Sequence, residues 1–272
     1  MPKYKTLPSN VGILPGSSPS LTDFNGSFYV FYVGSGREGI FYTSCGSNKN
    51  WTQPRQCTGP VKGSPSVVQY NGKIFLFYVP ENTTWMNYQT FDGKNWSKTE
   101  TIGHDATLLD PSSPAGVVYN DQLYVFFNGS GNDGIWYKVY DGRNFGDQIH
   151  CDARGLSLWK GTSPAPVAYQ GKLYLFYNGS GNDGTWYVTF DGSKWGEATG
   201  IRRQTNGSFE KGTSPTAFVA ADITLVVMWS GSGRDGTWFS YLNGSDWTYQ
   251  QSLGEQLGGQ DLTNTTNAPG YY

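Results

Sequence analysis

Four carboxylates in this chain are each followed, three residues later, by an aromatic ring, and each pair lies in a glycine-rich stretch. A carboxylate accepts paired hydrogen bonds from neighbouring hydroxyl groups, and a flat ring can stack on the apolar C–H face of a pyranose. Glycine lets backbone amides approach a ligand closely, because no side chain intervenes. This chemistry suits a hydroxyl-rich ligand. The pairs are Glu38 and Phe41, Asp133 and Trp136, Asp183 and Trp186, and Asp235 and Trp238.

Two of these pairs follow the same stretch, NGSGNDG, which occurs at 128–134 and again at 178–184. Near copies, GSGREG and GSGRDG, stand at 34–39 and 231–236. A two-residue turn would suffice to join two strands, so a longer loop that keeps an acid and an aromatic indicates a binding role. Two structural alternatives remain open: the loop only makes the turn, and the half-buried tryptophans only pack between strands.

The spacing of a second motif, Ser-Pro, shows that the chain is built from repeats. Successive Ser-Pro prolines are 46, 49, 50 and 51 residues apart, and the acids and aromatics recur at nearly constant distances after them. A period of about 50 residues is typical of propellers and solenoids. The Ser-Pro serines are Ser18, Ser64, Ser113, Ser163 and Ser214.

Each repeat reads as four short antiparallel strands separated by hairpin signals such as Gln-Gly, NGSGNDG and Asp-Gly. Four-stranded units repeated around an axis form a propeller blade. We therefore expect an all-β, five-bladed β-propeller in a single domain that spans 1–272. The repeats are predicted at 16–60, 61–108, 109–158, 159–209 and 210–252, with 253–272 as a closing segment or tail.

The two edges of such blades carry different motifs. The repeated Asp-Gly turn between the third and fourth strands, at Asp92, Asp141 and Asp191, resembles a shortened Asp-box of sialidase-type propellers and is interpreted as structural. The Ser-Pro motif and the glycine-rich loop are expected together on the opposite edge. Ser163 is therefore a further candidate ligand residue, beside Asp183 and Trp186.

Composition excludes several function classes. The formal net charge is −2, which argues against a partner held by phosphate contacts, so no nucleic acid is expected. No apolar run is long enough for membrane insertion, and the N-terminus lacks a signal-peptide core, so we expect a protein that is cytoplasmic or is secreted without a recognisable signal peptide. Three cysteines do not form a disulfide framework, although Cys45 and Cys57 could meet across a hairpin.

Catalytic residues are not evident in the repeats. Five-bladed glycosidases place acids from different blades at the hub, which breaks internal symmetry. Among the first strands only Asp23 is acidic, and Asp110 stands just before the third copy. Both histidines, His104 and His150, fall between repeats, and no metal-ligand or nucleophile motif is present. We therefore expect no enzyme activity, no cofactor and no metal.

One copy of the repeat reads "LYLFYNGSGNDGTWYVTFDG" at 173–192. The order of residue types in these repeats resembles that of β-propeller lectins, over residues 16 to about 252. The five-fold count resembles the tachylectin-2 type, and the repeats are similar to those of other fungal and bacterial propeller lectins. The resemblance implies binding of N-acetylated hexosamines in clefts between blades. No arginine recurs as in the six-bladed fucose-binding propellers, so the resemblance does not extend to fucose.

We thus expect a multivalent lectin that recognises glycans or glycoconjugates on cell surfaces, with its oligomeric state left open. Four sites are expected, because the second copy has Thr84 and Asn87 in place of the acid and the aromatic. A cleft between blades takes residues from two copies, so a neighbouring site could fail instead. The alternatives are a protein-binding propeller and, less favoured by the sequence, a five-bladed glycosidase.

Overall fold

The computed structural model describes residues 7–8, 10–131, 133–181, 183–220 and 224–256. They form five consecutive antiparallel sheets, so the predicted all-β, five-bladed propeller with four strands per blade is confirmed. Apolar runs rich in aromatic and β-branched residues make the strands, and Gly-containing turns join them. Two single-turn helices, α1 (Arg202–Thr205) and α2 (Leu253–Gln256), lie after the outer strands of the last two blades.

The blades follow one another along the chain. Blade 1 contains β1 (Ser20–Phe24), β2 (Ser27–Val33), β3 (Ile40–Cys45) and β4 (Arg55–Gln56). Blade 2 contains β5 (Val61–Tyr70), β6 (Lys73–Pro80), β7 (Asn87–Phe91) and β8 (Glu100–Thr101). Blade 3 contains β9 (Ala115–Tyr119), β10 (Gln122–Asn128), β11 (Ile135–Tyr140) and β12 (Ile149–His150). Blade 4 contains β13 (Ala165–Tyr169), β14 (Lys172–Asn178), β15 (Thr185–Phe190) and β16 (Thr199–Gly200). Blade 5 contains β17 (Thr216–Val219), β18 (Leu225–Ser230), β19 (Thr237–Asn243), β20 (Asp246–Trp247) and β21 (Gln251–Ser252).

The outer strand of blade 5 shows which end of the chain completes the last sheet. Ser252 of β21 pairs with Trp238, just as His150 of β12 pairs with Trp136 in blade 3. Ile13, near the other end, pairs with Gly34 in blade 1. Each blade is therefore built from one continuous stretch of the described chain, without strand exchange between the ends. The predicted closing segment beyond Gln256 lies outside the described residues.

Apolar residues fill the spaces between neighbouring blades. Along β10, Leu123, Val125 and Phe127 face blade 2, whereas Tyr124 and Phe126 face blade 4. A sheet buried on both faces explains why these strands read as nearly continuous apolar runs. The cores contain Phe31 and Leu76 between blades 1 and 2, Phe77 and Phe127 between blades 2 and 3, Phe126 and Leu175 between blades 3 and 4, and Phe176 and Trp229 between blades 4 and 5. Between blades 5 and 1, Val30 and Tyr32 of β2 and Val226 and Met228 of β18 are buried.

The Ser-Pro serines link the blades by a chain of hydrogen bonds, here called the serine chain. The backbone N–H of Ser18 donates to the Ser64 hydroxyl, Ser64 to Ser113, Ser113 to Ser163, and Ser163 to Ser214, at 2.7–2.8 Å. The proline that follows each serine fixes the backbone as the inner strand begins. The Ser-Pro repeat therefore has a structural role in holding adjacent blades together.

Antiparallel order fixes which connections share an edge of the propeller. The loop between the second and third strands of each blade lies on the same edge as the connection to the next blade. This edge, called the loop face, carries the glycine-rich loops. The Asp-Gly turns between the third and fourth strands lie on the opposite edge, called the turn face.

Candidate functional site

On the turn face, each repeated acid binds two backbone N–H groups of its own turn. One carboxylate oxygen of Asp92 accepts the N–H groups of Lys94 and Asn95 at 2.7 Å. Asp141 and Asp191 make the same pair of bonds at 2.7 and 2.9 Å. Each carboxylate is stabilised by the backbone N–H three residues after it and, to a lesser extent, by the N–H two residues after it. These bonds hold the pKa of each carboxyl group below its ordinary value. The structural interpretation of these turns is supported, and they leave the loop face as the candidate site.

On the loop face, the acid and the tryptophan of a loop are joined directly. The indole Nε1–H of Trp136 donates to Asp133 Oδ1 at 3.0 Å. Trp186 donates to Asp183 and Trp238 donates to Asp235 at the same distance. The carboxylates are exposed and the rings are half-buried. One oxygen of each carboxylate therefore positions the ring, and the second oxygen is left for other partners.

The first glycine of each loop is required by this pair. A Cβ added to Gly129 would lie 2.7 Å from Cδ1 of Trp136, and one added to Gly179 would lie 2.7 Å from Nε1 of Trp186. No real Cβ contact is that short, so only glycine lets the ring and carboxylate fold back over the strand end. Part of the loop's sequence thus serves the geometry of the acid–ring pair.

Blades 1 and 2 depart from this arrangement. A Cβ added to Gly34 would meet Glu38 Oε2 at 2.6 Å and Phe41 Cε2 at 2.8 Å, so the pair packs in the same place in blade 1. Phe41 has no N–H, so it cannot donate a hydrogen bond to the glutamate. In blade 2 the corresponding residues are Thr84 and Asn87.

Asp133 lines a cavity between blades 3 and 4, called the 3–4 cleft. Its volume is about 720 Å³. The connection into blade 4 and the loop of blade 4 supply most of its wall. The cavity is lined by Asp133, Gly134, Leu156, Ser157, Leu158, Trp159, Lys160 and Ser180.

Sequence reasoning missed most of these lining residues. The sequence predicted that the aromatic ligand residue comes from the same loop as the acid. In the structure, Trp159 and Lys160 of the next repeat also line the cavity. One sequence signal could have pointed to them. The serine of NGSGNDG, at Ser130 and Ser180, is preceded about 23 positions earlier by another hydroxyl residue, Thr107 and Ser157. Only the three-dimensional arrangement joins an acid of one blade to the hydroxyls of the following blade.

These hydroxyls occur as pairs on the loop face. Thr107 Oγ1 lies 2.7 Å from Ser130 Oγ, and Ser157 Oγ lies 2.7 Å from Ser180 Oγ. In blade 5, Ser208 Oγ lies 2.8 Å from Ser232 Oγ. All three pairs are exposed, so their remaining donor and acceptor capacity faces outward.

Asp133 also borders a second, smaller cavity of about 320 Å³ on the outer side of the same loop. Asp133, His150, Asp152 and Arg154 are among its lining residues. His150 Nδ1 lies 2.5 Å from Asp152 Oδ1, and Nε2 lies 3.0 Å from the Asp133 carbonyl oxygen. Partial burial acts to lower the pKa of His150, but its bonds to Asp152 and to the Asp133 carbonyl outweigh burial and raise the pKa.

Ser163 is not placed as a sugar ligand. Its side chain belongs to a residue that is only 6% exposed, and its hydroxyl accepts the Ser113 N–H within the serine chain. The structure therefore gives Ser163 a role in the contact between blades, and its predicted role as a ligand residue stays a prediction. The other eight predicted site residues lie on the loop face, and their role in binding stays a prediction.

Other reactive groups do not suggest a second centre. Cys45, Cys57 and Cys151 are all free, so the Cys45–Cys57 bridge is not formed. Burial raises the pKa of Cys151 to about 12, which keeps this thiol protonated. In the described part of the chain, no group of three His, Cys, Asp or Glu side chains is arranged to hold a metal ion. The described helices are all too short to cross a bilayer.

No protein-family profile and no curated protein sequence matches this chain. Solved structures do match, and they include both carbohydrate-binding and carbohydrate-cleaving proteins. SapL1 lectin, solved with alpha methyl fucoside, aligns with a TM-score of 0.64 and 16% identity over 90% of this chain and 84% of its own. The tachylectin-2 type is not confirmed by these matches.

Several other matches are family-43 glycoside hydrolases. The endo-arabinanase from Bacillus licheniformis aligns with a TM-score of 0.51 and 15% identity over 91% of this chain and 100% of its own. Bacteroides ovatus GH43B, from a xyloglucan locus, aligns with a TM-score of 0.56 and 15% identity over 82% of this chain. This chain spans about half, 49%, of the length of the Bacteroides protein.

These matches correct the expectation that the chain is not an enzyme. Family-43 glycoside hydrolases share its propeller fold, so a regular repeat does not separate a lectin from a hydrolase. At about 15% identity the likeness establishes the fold alone, and function has to be argued from the site.

Proposed function

We propose that this protein binds carbohydrate in clefts between adjacent blades on its loop face. The observation that carries the proposal is the lining of the 3–4 cleft. A carboxylate from one blade and a hydroxyl pair, an indole and an ammonium group from the next surround one open cavity. A few converging polar groups beside an aromatic ring are typical of a small-ligand site.

The free oxygen of Asp133 is the main acceptor in this proposal. Asp133 Oδ1 is occupied by the Trp136 indole, so Oδ2 accepts a sugar hydroxyl. The Ser157–Ser180 pair offers further donors and acceptors, and Lys160 donates from the far side of the cavity. The half-buried Trp159 ring provides an apolar surface for a sugar face.

The five clefts are not equivalent. The 3–4 cleft combines Asp133 with the Ser157–Ser180 pair, and the 4–5 cleft combines Asp183 with the Ser208–Ser232 pair. The 2–3 cleft has a hydroxyl pair but Thr84 in place of the acid, and the 1–2 cleft has Glu38 but Pro60 and Glu81 in place of the hydroxyls. In the 5–1 cleft, Gly12 replaces one hydroxyl residue. We therefore propose two complete sites rather than the four expected from the loops alone.

A multivalent lectin is the form of this function that the repeated clefts favour. A monosaccharide in an open cleft is expected to bind weakly, with a Kd on the order of 0.1–1 mM. Binding to cell-surface glycans then depends on two adjacent clefts engaging the same surface.

The test is a glycan array followed by calorimetry with the best monosaccharide. Asp133→Asn keeps an oxygen for the Trp136 N–H but loses the charge, so it should weaken the 3–4 cleft about 10- to 100-fold. Asp183→Asn should do the same for the 4–5 cleft, and the double variant should lose both. Glu81→Gln, an exposed acid on the loop face of blade 2, is the matched control and should bind like the wild type. Full binding by the folded double variant would refute the proposal.

A second candidate function is glycoside hydrolysis. The specific observation is the smaller cavity, which Asp133 and Asp152 both line. Between them, His150 contacts the Asp152 carboxylate and the backbone carbonyl oxygen of Asp133. Glycosidases use two carboxylic acids, one of them as a general acid with a raised pKa. The fold shared with family-43 hydrolases adds to this candidate.

The test is the release of reducing sugar from arabinan, xylan and galactan. A hydrolase is supported if the wild type releases sugar and if Asp152→Asn and Asp133→Asn both lose this activity. Binding without turnover, together with unchanged binding in Asp152→Asn, would support a lectin. If no glycan binds, a protein-binding surface on the loop face becomes the better account.

A further inference from the structure

One segment of the chain lines both cavities at the junction between blades 3 and 4. This segment connects β12, the outer strand of blade 3, to β13, the inner strand of blade 4, so it crosses the loop face from the rim towards the hub. Its first part, as far as Leu156, lines the smaller cavity, here called the outer cavity. Its second part, from Leu156 to Lys160, lines the 3–4 cleft. The two cavities therefore follow one another along the radius of the propeller.

The two cavities adjoin at the end of the blade 3 loop, because Asp133, Gly134 and Leu156 line both of them. Gly134 has a φ of 113°, a conformation that favours glycine, and it carries no side chain that could stand between the cavities. The Asp133 carbonyl oxygen beside it is bound by His150 Nε2 at 3.0 Å. A ligand can thus extend from one cavity into the other over a backbone that is held in place.

The outer cavity offers polar groups that do not line the 3–4 cleft. Asp152 and Arg154 line it with side chains that are 85% and 86% exposed. Arg154 Nη1 donates to Glu197 of blade 4 at 2.9 Å, and the Arg154 carbonyl oxygen accepts the Ala198 N–H at 2.9 Å. Because a guanidinium group has several N–H donors in a fixed plane, those not bound to Glu197 can bind hydroxyl groups.

The charges along the combined cavities are mixed. Asp133 and Asp152 contribute carboxylates, and the second of these contacts His150. Lys160 and Arg154 contribute basic groups. A lining of this kind does not select a strongly charged ligand. It suits a neutral ligand with many hydroxyl groups, because each hydroxyl can donate to a carboxylate and accept from a basic group.

We propose that the 3–4 cleft and the outer cavity together bind a neutral linear oligosaccharide, with one sugar unit in the cleft and the next in the outer cavity. This inference rests on the proposed carbohydrate binding and names the class of glycan. The volumes of about 720 and 320 Å³ each fall within the range of about 300–1,000 Å³ for small-ligand sites. Three strand spacings separate the inner and outer strands of a blade, about 14 Å, which is longer than one sugar ring.

The junction between blades 4 and 5 is built differently at the corresponding place. There, α1 follows β16 directly, whereas the segment after β12 contains no helix. A Cβ added to Gly184, the counterpart of Gly134, would lie 2.8 Å from Cβ of Arg202, the first residue of α1. The helix therefore packs against the loop where the outer cavity lies at the other junction. The 4–5 cleft is accordingly expected to hold a single sugar unit.

The test measures how affinity depends on the number of sugar units. Calorimetry with N-acetylglucosamine, xylose, arabinose and galactose selects the sugar, and its linear oligomers of one to four units are then titrated. Asp183→Asn leaves the 3–4 cleft as the complete site, and its affinity should rise about tenfold from one unit to two, because the second unit gains bonds to charged side chains. Asp133→Asn leaves the 4–5 cleft, and its affinity should stay the same for all lengths.

Arg154→Gln, made in the Asp183→Asn protein, examines the outer cavity itself. This change should remove most of the gain from the second unit and leave the affinity for the monosaccharide unchanged. Arg143→Gln makes the same change at an exposed arginine of the turn face and is the matched control, which should keep the full gain.

Equal affinities for all lengths in Asp183→Asn would overturn this inference while leaving carbohydrate binding in place. A gain that persists in Arg154→Gln, or that appears equally in Asp133→Asn, would show that the second unit does not bind in the outer cavity. If the wild type binds none of the sugars at any length, this inference and the proposed carbohydrate binding fail together.

Discussion

At the scale of single residues, the structure shows one role of the loop acids, and we propose a second that uses the other oxygen. Asp133 Oδ1 accepts the Trp136 indole N–H, and Asp133 is one of the residues that line the 3–4 cleft. An asparagine side chain keeps an oxygen for the indole N–H but is a weaker acceptor for a sugar hydroxyl. The Asn variants therefore separate an effect on binding from an effect on structure. Alanine would remove both, so its effect on binding could not be assigned to either role.

Ser163 provides a test of the serine chain. Ser163→Ala removes the acceptor of the buried Ser113 N–H and should lower the free energy of unfolding by about 1–3 kcal/mol. Because its hydroxyl lies in the chain between blades, sugar affinity of the folded protein should stay at the wild-type value. Denaturant unfolding and calorimetry measure the two quantities. A large loss of affinity with unchanged stability would restore Ser163 as a ligand residue.

His150 predicts a specific dependence of stability on pH. Its pKa in the folded protein is raised, so the protonated form is favoured by folding. The stabilisation is complete below the unfolded pKa of about 6.5 and is lost as the pH rises through the higher folded pKa. His150→Gln should therefore reduce the fall in stability above about pH 6.5. Melting temperatures of both proteins between pH 5 and 8.5 test this. Parallel curves would show that His150 does not contribute.

At the scale of elements, the glycine-rich loop is shaped by the strand end beneath it. Gly179→Ala places a Cβ against the Trp186 indole and the Asp183 carboxylate, so it should cost about 1–3 kcal/mol of stability. The displaced acid should also weaken the 4–5 cleft. Gly59→Ala, in a connection where an added Cβ meets nothing within 4 Å, is the control and should change neither. Chemical denaturation and calorimetry of both variants supply the comparison.

The elements were predicted well because their signals are local. Hairpin signals between short apolar segments identified four strands in each repeat, and the Asp-Gly turns were correctly interpreted as structural. Sites between blades were expected, but the residues lining them were not predicted, because Asp133 and Trp159 are brought together by blade packing and not by spacing within one repeat. The recurrence of Ser163 has a related explanation: its hydroxyl bonds to the neighbouring blade, which a sequence does not display.

At the scale of the whole molecule, the two clefts proposed as complete sites are on the same face, at the two junctions that flank blade 4. If both bind the same glycan, avidity on a dense surface should exceed single-site affinity by roughly 10²–10⁴. The Asp133→Asn variant keeps one complete cleft, so it should lose most of this gain while binding free monosaccharide at the remaining site. Surface binding at high and low glycan density measures the difference. Equal retention on sparse and dense surfaces would show that the clefts act singly.

The construction of each blade from one uninterrupted stretch has a consequence for how such a chain can change. In blade 4, the pairings of the four strands lie between Ala165 and Gly200. The contacts to the neighbouring blades are side-chain packing, the serine chain and side-chain hydrogen bonds such as the one from Asn178 Nδ2 to the Thr213 carbonyl oxygen. Duplication or loss of a coding segment for one repeat would leave the pairing of all other blades intact. Because each proposed cleft takes its acid from one blade and its hydroxyls from the next, exchange of one blade would alter two neighbouring clefts, with the blade as the inherited unit.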